Sequence, residues 1–213
     1  MSMVEILPLI WFGIIGFGVI MYVLLDGFVL GIGILCGVAY GEAERDIMMN
    51  SVAPIWDGNE TWLVLGGVAL LAAFPPAYTV LLPALYLPLT AMLIALIFRG
   101  VAFEFRFKAR RKFGWNTAFF LGSVIATFCQ GVTLGAIVQG IEADGAQYVG
   151  GAFDWFSPFT MLTGAALIAG YALLGATWVV MKTTGLLQQR AYGWSRMLLT
   201  AVIVLMALVS VYV

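Results

Sequence analysis

Histidine is missing altogether from the 213 residues, and only two cysteines occur. Without histidine the commonest protein ligand for haem iron, zinc and copper is gone. Cys36 and Cys129 lie far apart within apolar runs, which suits small packing residues better than a disulfide or a metal site. The ten methionines lack the histidine that usually accompanies a methionine on haem, so they read as core filler. No phosphate-binding loop, dinucleotide-binding glycine fingerprint or zinc spacing is present. Charge is scarce too: ten basic and eleven acidic side chains leave a net charge of −1, which rules against nucleic acid as a partner. Any redox chemistry this chain serves has its cofactors in another chain.

What remains is apolar. A chain that is 63% hydrophobic and 10% charged does not describe a water-soluble domain of this length. A hydrocarbon core needs about 20 apolar helical residues per crossing, and the apolar runs are long and without strand-like alternation. The fold class is therefore all-α, a polytopic transmembrane helical bundle, since helices satisfy their own backbone groups in lipid. Six spans are expected at about 8–39, 54–77, 79–101, 117–140, 158–181 and 195–213. The opening "MSMVEILPLI" has no Lys or Arg ahead of its apolar stretch, so it does not fit a cleavable signal peptide and the first span is expected to stay. The final run, "MLLTAVIVLMALVSVYV", has no polar flank after it, and truncation of a longer protein is expected.

All ten bases fall in breaks on one side of this six-span arrangement. They are Arg45, then Arg99, Arg106, Lys108, Arg110, Arg111 and Lys112, and then Lys182, Arg190 and Arg196. The positive-inside rule makes that side cytoplasmic and puts the N-terminus outside. The opposite loops agree, because "FPPAY" is uncharged and "IEADGAQYVGGAFDWFS" carries acids and no base. The 106–112 cluster reads as a topology anchor ahead of a lipid-headgroup or partner site. Gly27, Gly31, Gly33 and Gly37, and later Gly131 and Gly135, have the small-xxx-small spacing of close helix contacts. Gln130 and Gln139 are expected to hydrogen bond between helices.

The acids inside the spans carry the functional signal. Asp26 interrupts the first apolar run, where an ionised Asp costs roughly 2.5–3.5 kcal/mol to insert, so it needs a partner or a wet cavity. Asp26 lies about 18 residues into one inward-running span and Arg99 about 20 into another, which makes them candidates for a pair. Asp57 and Glu60, in "WDGNETW", have the D-x-x-E spacing of a helix capping box, and spacing alone favours that cap over carboxylates that take up protons. Trp56 and Trp62 read as interface or packing aromatics. A secondary transporter using Asp26 and Arg99 as a mid-membrane ion or substrate site is the alternative, although no second half repeats the first.

The blocks "DGFVLGIGIL", "RDIMMNSVAPIWDGNETWLVLGG", "FRGVAFEFR" and "ATFCQGVTLGAIVQG" resemble subunit II of the cytochrome bd quinol oxidases, with most likeness to the cyanide-insensitive branch. The resemblance runs along the whole chain. It implies a bacterial inner-membrane respiratory enzyme in which haems b and d belong to subunit I, while subunit II binds no haem. It implies subunit I, lipid and quinol as partners, and leaves open small single-span subunits and a quinone bound between these helices. It further implies a first four-helix bundle over 1–140, an extracytoplasmic loop over 141–157, and the first two helices of a second, incomplete bundle over 158–213. By resemblance Asp26 and Asp57 match acids on a proton route from the cytoplasm, with Glu60 ranked below them and Arg99 as charge partner. One departure is Val29, where the family usually has a second acid in "DGFD".

Overall fold

The computed structural model describes the backbone of residues 3–212 and the side chains of residues 5–212. The extreme N-terminus, expected on the outer side, and residue 213 fall outside the described residues. Among the described residues seven helices follow one another: α1 (Met3–Cys36), α2 (Gly41–Val52), α3 (Trp56–Ala73), α4 (Pro75–Arg106), α5 (Phe113–Gln139), α6 (Pro158–Lys182) and α7 (Gly185–Tyr212). A two-residue hairpin, β1 (Ala143–Asp144) with β2 (Gln147–Tyr148), lies between α5 and α6.

Six of these helices correspond to the six spans read from the sequence. Five of them, α1 and α4 to α7, are long and apolar enough to cross a membrane. The sixth, α3, is 18 residues long and carries Asp57, Asn59 and Glu60 in its opening turns. The remaining helix, α2, occupies what the sequence presents only as a polar break. Its "GEAERDIMMNSV" is amphipathic: Met48, Met49 and Val52 are buried while its acids stay near the surface.

The turns follow from local chemistry. Gly41, Gly140 and Gly185 have positive φ (77°, 93° and 73°) at helix boundaries, a conformation glycine adopts without steric cost. Phe74 alone separates α3 from α4, and Pro75 and Pro76 open α4, where a missing N–H is harmless. Ser157 and Thr160 form a reciprocal capping box at the start of α6, with Pro158 beside it.

α1 is the axis of the packing and touches α3, α5 and α6, while α4 lies along α5 and α7 along α6. Glycines set those approaches. A side chain at Gly31 would strike the Tyr171 carbonyl of α6, and one at Gly175 would strike Gly31 in return. Gly131 faces Thr163 and Gly164 in the same way, 2.6 Å from the Thr163 carbonyl for an added Cβ, and this joins α5 to α6. The larger apolar cluster gathers Val29, Ile32 and Leu35 of α1 with Met48, Met49 and Val52 of α2, Phe103 of α4 and Phe119 of α5. Many large apolar side chains, among them Phe12, Phe98, Leu134 and Ile203, are exposed on the outside of the bundle, as a lipid-facing surface requires.

Candidate functional site

The ends of α1, α4 and α6 and the starts of α2, α5 and α7 share one end of the bundle, here called the basic end. Two buried arginines project from α4 near it. Seven residues separate Arg99 from Arg106, so they share a face of the helix about 10 Å apart along its axis. Each gathers carboxylates from other helices.

The deeper group is built from three helices. Asp26 of α1 is fully buried and Arg99 is 1% exposed. The Arg99 Nη2 stands 3.2 Å from Asp26 Oδ1, and its Nη1 donates to Glu60 Oε1 of α3. Glu60 is partly open, with its side chain 26% exposed, so the arginine bridges a sealed carboxylate and one that reaches the surface. Asn59 ties the same two helices together, donating from Nδ2 to the Leu25 carbonyl at 2.8 Å. Two atoms at the centre have no partner: Asp26 Oδ2 and Arg99 Nε. Buried polar atoms are nearly always paired, so these mark an incompletely satisfied spot.

Asp57 is exposed in the first turn of α3. The capping box that its spacing suggests is not formed: the N-cap is Ile55, no side chain caps the helix, and Glu60 turns to Arg99. An acid in the first turn still faces the positive end of the helix dipole. Trp56 packs inward on the buried Phe103, with centroids 5.2 Å apart, whereas Trp62 lies edge-on to the exposed Phe17 at 5.9 Å. Val29, at the position of the second acid in "DGFD", is fully buried in the apolar cluster.

On the other side of Asp26 runs a chain that sequence reasoning found only in part. Gln130 of α5 donates from Nε2 to the Tyr22 hydroxyl of α1 at 2.7 Å and accepts from the Tyr171 hydroxyl of α6 at 3.0 Å. Gln130 thus bonds between helices. Gln139 meets Ser157 Oγ at the opposite end of the bundle, at 2.6 Å. Tyr22 and Tyr171 carried no sequence signal beyond an i, i+4 placement of Tyr22 before Asp26.

The second group lies at the basic end. Arg106 is fully buried; its Nη2 reaches Glu42 Oε2 at 2.8 Å, its Nη1 reaches Asp46, and its Nε donates to Asn116 of α5. Lys112 adds a second cation on Asp46 at 2.9 Å, and Asn116 donates to Glu42 at 2.7 Å. Burial works against the charged form of Asp46, but Lys112 and Arg106 outweigh it and hold its pKa below the ordinary carboxylate value. Part of the 106–112 cluster is therefore an internal tie: Arg106 and Lys112 bind α2, while Lys108, Arg110 and Arg111 are exposed. Both cysteines are buried free thiols. Among the described residues no three metal-ligating side chains come together.

These features define a class: a polytopic helical membrane protein with a buried arginine that bridges carboxylates of two other helices. The chain belongs to the cytochrome bd terminal oxidase subunit II family, which matches residues 7–213. It is 33% identical over 218 residues to the cytochrome bd-I ubiquinol oxidase subunit 2 of Escherichia coli, covering 98% of this chain and 58% of that protein. It is 31% identical over 200 residues to the cytochrome bd ubiquinol oxidase subunit 2 of Bacillus subtilis, covering 92% of this chain and 59% of that one. The probable cytochrome oxidase subunit 2 of Haemophilus influenzae is 34% identical over 196 residues, covering 88% and 52%. The chain spans a little over half the length of these relatives.

Proposed function

We propose that this chain is the haem-free partner in a membrane quinol oxidase of the cytochrome bd type, scaffolding a haem-bearing subunit I and carrying part of its proton uptake. Oxygen reduction to water consumes protons, and the carboxylates Asp57, Glu60 and Asp26 take them up from the cytoplasmic side. The observation that carries the reading is the bridge of Arg99 between sealed Asp26 and partly open Glu60, with Asp57 exposed one turn away. Carboxylates at graded depth, linked by one guanidinium and left with unsatisfied atoms, suit proton exchange better than a finished structural ion pair does.

In this reading haems b and d reside in subunit I, because a chain without histidine lacks their usual ligand. The basic end faces the cytoplasm of a bacterial inner membrane and the N-terminus faces outward, as the position of the bases requires. Residues 1–140 form the first bundle and 158–213 open a second one, which rests on α1 and α5.

The test is quinol-driven oxygen consumption per haem in the assembled complex. An Asn keeps hydrogen bonding but cannot carry a proton as a carboxylate does. Asp57→Asn and Asp26→Asn are expected to slow turnover by about tenfold or more at normal haem content. Both variants assembling and turning over at the unmodified rate across pH would sink the proposal.

A further inference from the structure

Hydrogen-bond accounting around Asp26 leaves two donors without acceptors, Arg99 Nε and the Tyr22 hydroxyl, and one acceptor without a donor, Asp26 Oδ2. Tyr22 Oη accepts from Gln130 Nε2 at 2.7 Å, and Gln130 Oε1 accepts from Tyr171 Oη at 3.0 Å. In that arrangement the hydroxyl hydrogen of Tyr22 is not used by the glutamine. Tyr22 stands one turn before Asp26 on the same face of α1 and is buried as Asp26 is. Asp26 Oδ2 is buried and has no partner. The opposite orientation of the Gln130 amide would consume the Tyr22 hydrogen and strand that oxygen, so the accounting favours the orientation in which every donor points toward Asp26.

The backbone is shaped for this chain. Tyr22 and Tyr171 are 5% and 2% exposed, which shields their hydroxyls from competition by bulk water. Gly27, the residue after Asp26, lets the Tyr171 ring lie against α1; an added Cβ there would meet its Cε1 at 3.0 Å. Helices α1, α5 and α6 each supply one link.

We propose that Tyr171, Gln130 and Tyr22 are positioning residues for Asp26, a one-way series of hydrogen-bond donors that ends on its unpaired oxygen and favours its charged form. Successive donors polarise one another, so the last bond gains from those behind it. The groups facing Asp26 are then Arg99 from α4, Glu60 from α3 with Asp57 a turn away, Tyr22 on its own helix, Tyr171 from α6 and the neutral Gln130 from α5. Arg99 supplies charge from one side and the tyrosine chain supplies donors from the other. Together they set the pH range over which Asp26 exchanges a proton.

This inference rests on the proton-uptake reading, and its test separates the two. In the purified, assembled complex, two quantities are followed against pH: oxygen consumption per haem, and the infrared carboxyl band assigned to Asp26 by its loss in Asp26→Asn. Tyr22→Phe removes the last donor, which disfavours the carboxylate, so both titrations are expected to move to higher pH by about one unit. Gln130→Leu, which leaves Tyr22 in place but unpolarised, is expected to move them in the same direction by less. If Tyr22→Phe does not assemble, Gln130→Leu and Tyr171→Phe read the same displacement. An infrared titration unmoved in the variants that assemble would overturn the inference. A normal rate in Asp26→Asn with a displaced infrared titration in Tyr22→Phe would overturn the proton-uptake reading and leave this one standing.

Discussion

Arg99 and Arg106 are the same residue type on the same face of α4, both buried, both bound to two carboxylates. Their surroundings differ in completeness. Every nitrogen group of Arg106 has a partner, its acids Glu42 and Asp46 are 47% and 33% exposed, and Asn116 and Lys112 close the ring. Arg99 has an idle Nε beside a fully buried Asp26 whose Oδ2 is also idle. A saturated network in contact with water holds helices together; one left unsaturated at its sealed end keeps capacity to bind something more, such as a proton or a further donor. The two arginines thus separate clasp from site within two turns of helix.

The largest effect that tests this contrast is expected from Arg99→Leu. It strips the countercharge from a carboxylate with no access to water, and loss of one partner of such a pair costs about 3–5 kcal/mol. Asp26→Asn made in the same chain removes the stranded charge and should restore much of the stability. Thermal unfolding of the purified protein in detergent reads both, and a double variant no more stable than Arg99→Leu alone would mean that Asp26 is not the stranded group.

Arg106→Leu should cost less, about 1–3 kcal/mol, because Glu42 and Asp46 can be hydrated once released. Complex that assembles with this variant is expected to retain its turnover per haem. A loss of turnover as deep as that of Asp26→Asn would erase the distinction between clasp and site.

The smallest and most specific effect concerns acid. Asp46 has a folded-state pKa below its ordinary value, so its contribution is present above the unfolded-state pKa near 4 and disappears as pH falls through the folded value. Asp46→Asn should therefore lower the unfolding temperature at pH 6 to 7, and the gap to the unmodified protein should close below about pH 4. A gap that is constant with pH would show that the carboxylate charge plays no part in the clasp.

Legibility differed between the two groups for identifiable reasons. Asp26 and Arg99 stood out because a charge in an apolar run is expensive, and counting residues along two spans that both run inward put them at similar depth. Glu60 ranked below Asp57 on resemblance, yet it is Glu60 that reaches Arg99 while Asp57 is exposed. Spacing suggested a cap for both, but the helix begins at Trp56 with Ile55 as its N-cap, so Asp57 falls inside the first turn and Glu60 one turn further on. Helix α2 escaped notice because twelve polar-rich residues look like a loop, and its buried methionines count only once α4 and α5 stand beside it. Arg106, one of several bases in a row, gave no sign that it alone turns fully inward.

The sequence by itself determined the class of protein, the long helices and the end of the bundle that carries the bases. These depend on quantities local to each segment: apolar length against the thickness of a bilayer, and the placement of charge in the breaks. Only the tertiary structure decided that Glu60 would join Asp26 on Arg99, that Gln130 would link two tyrosines toward the same carboxylate, and that Arg106 would close on α2. Those choices follow from the rotation of each helix about its axis and the distance to its neighbours. The glycine contacts of α1 with α6 and of α5 with α6 set both, and they do so between residues on different helices, beyond the reach of any local pattern.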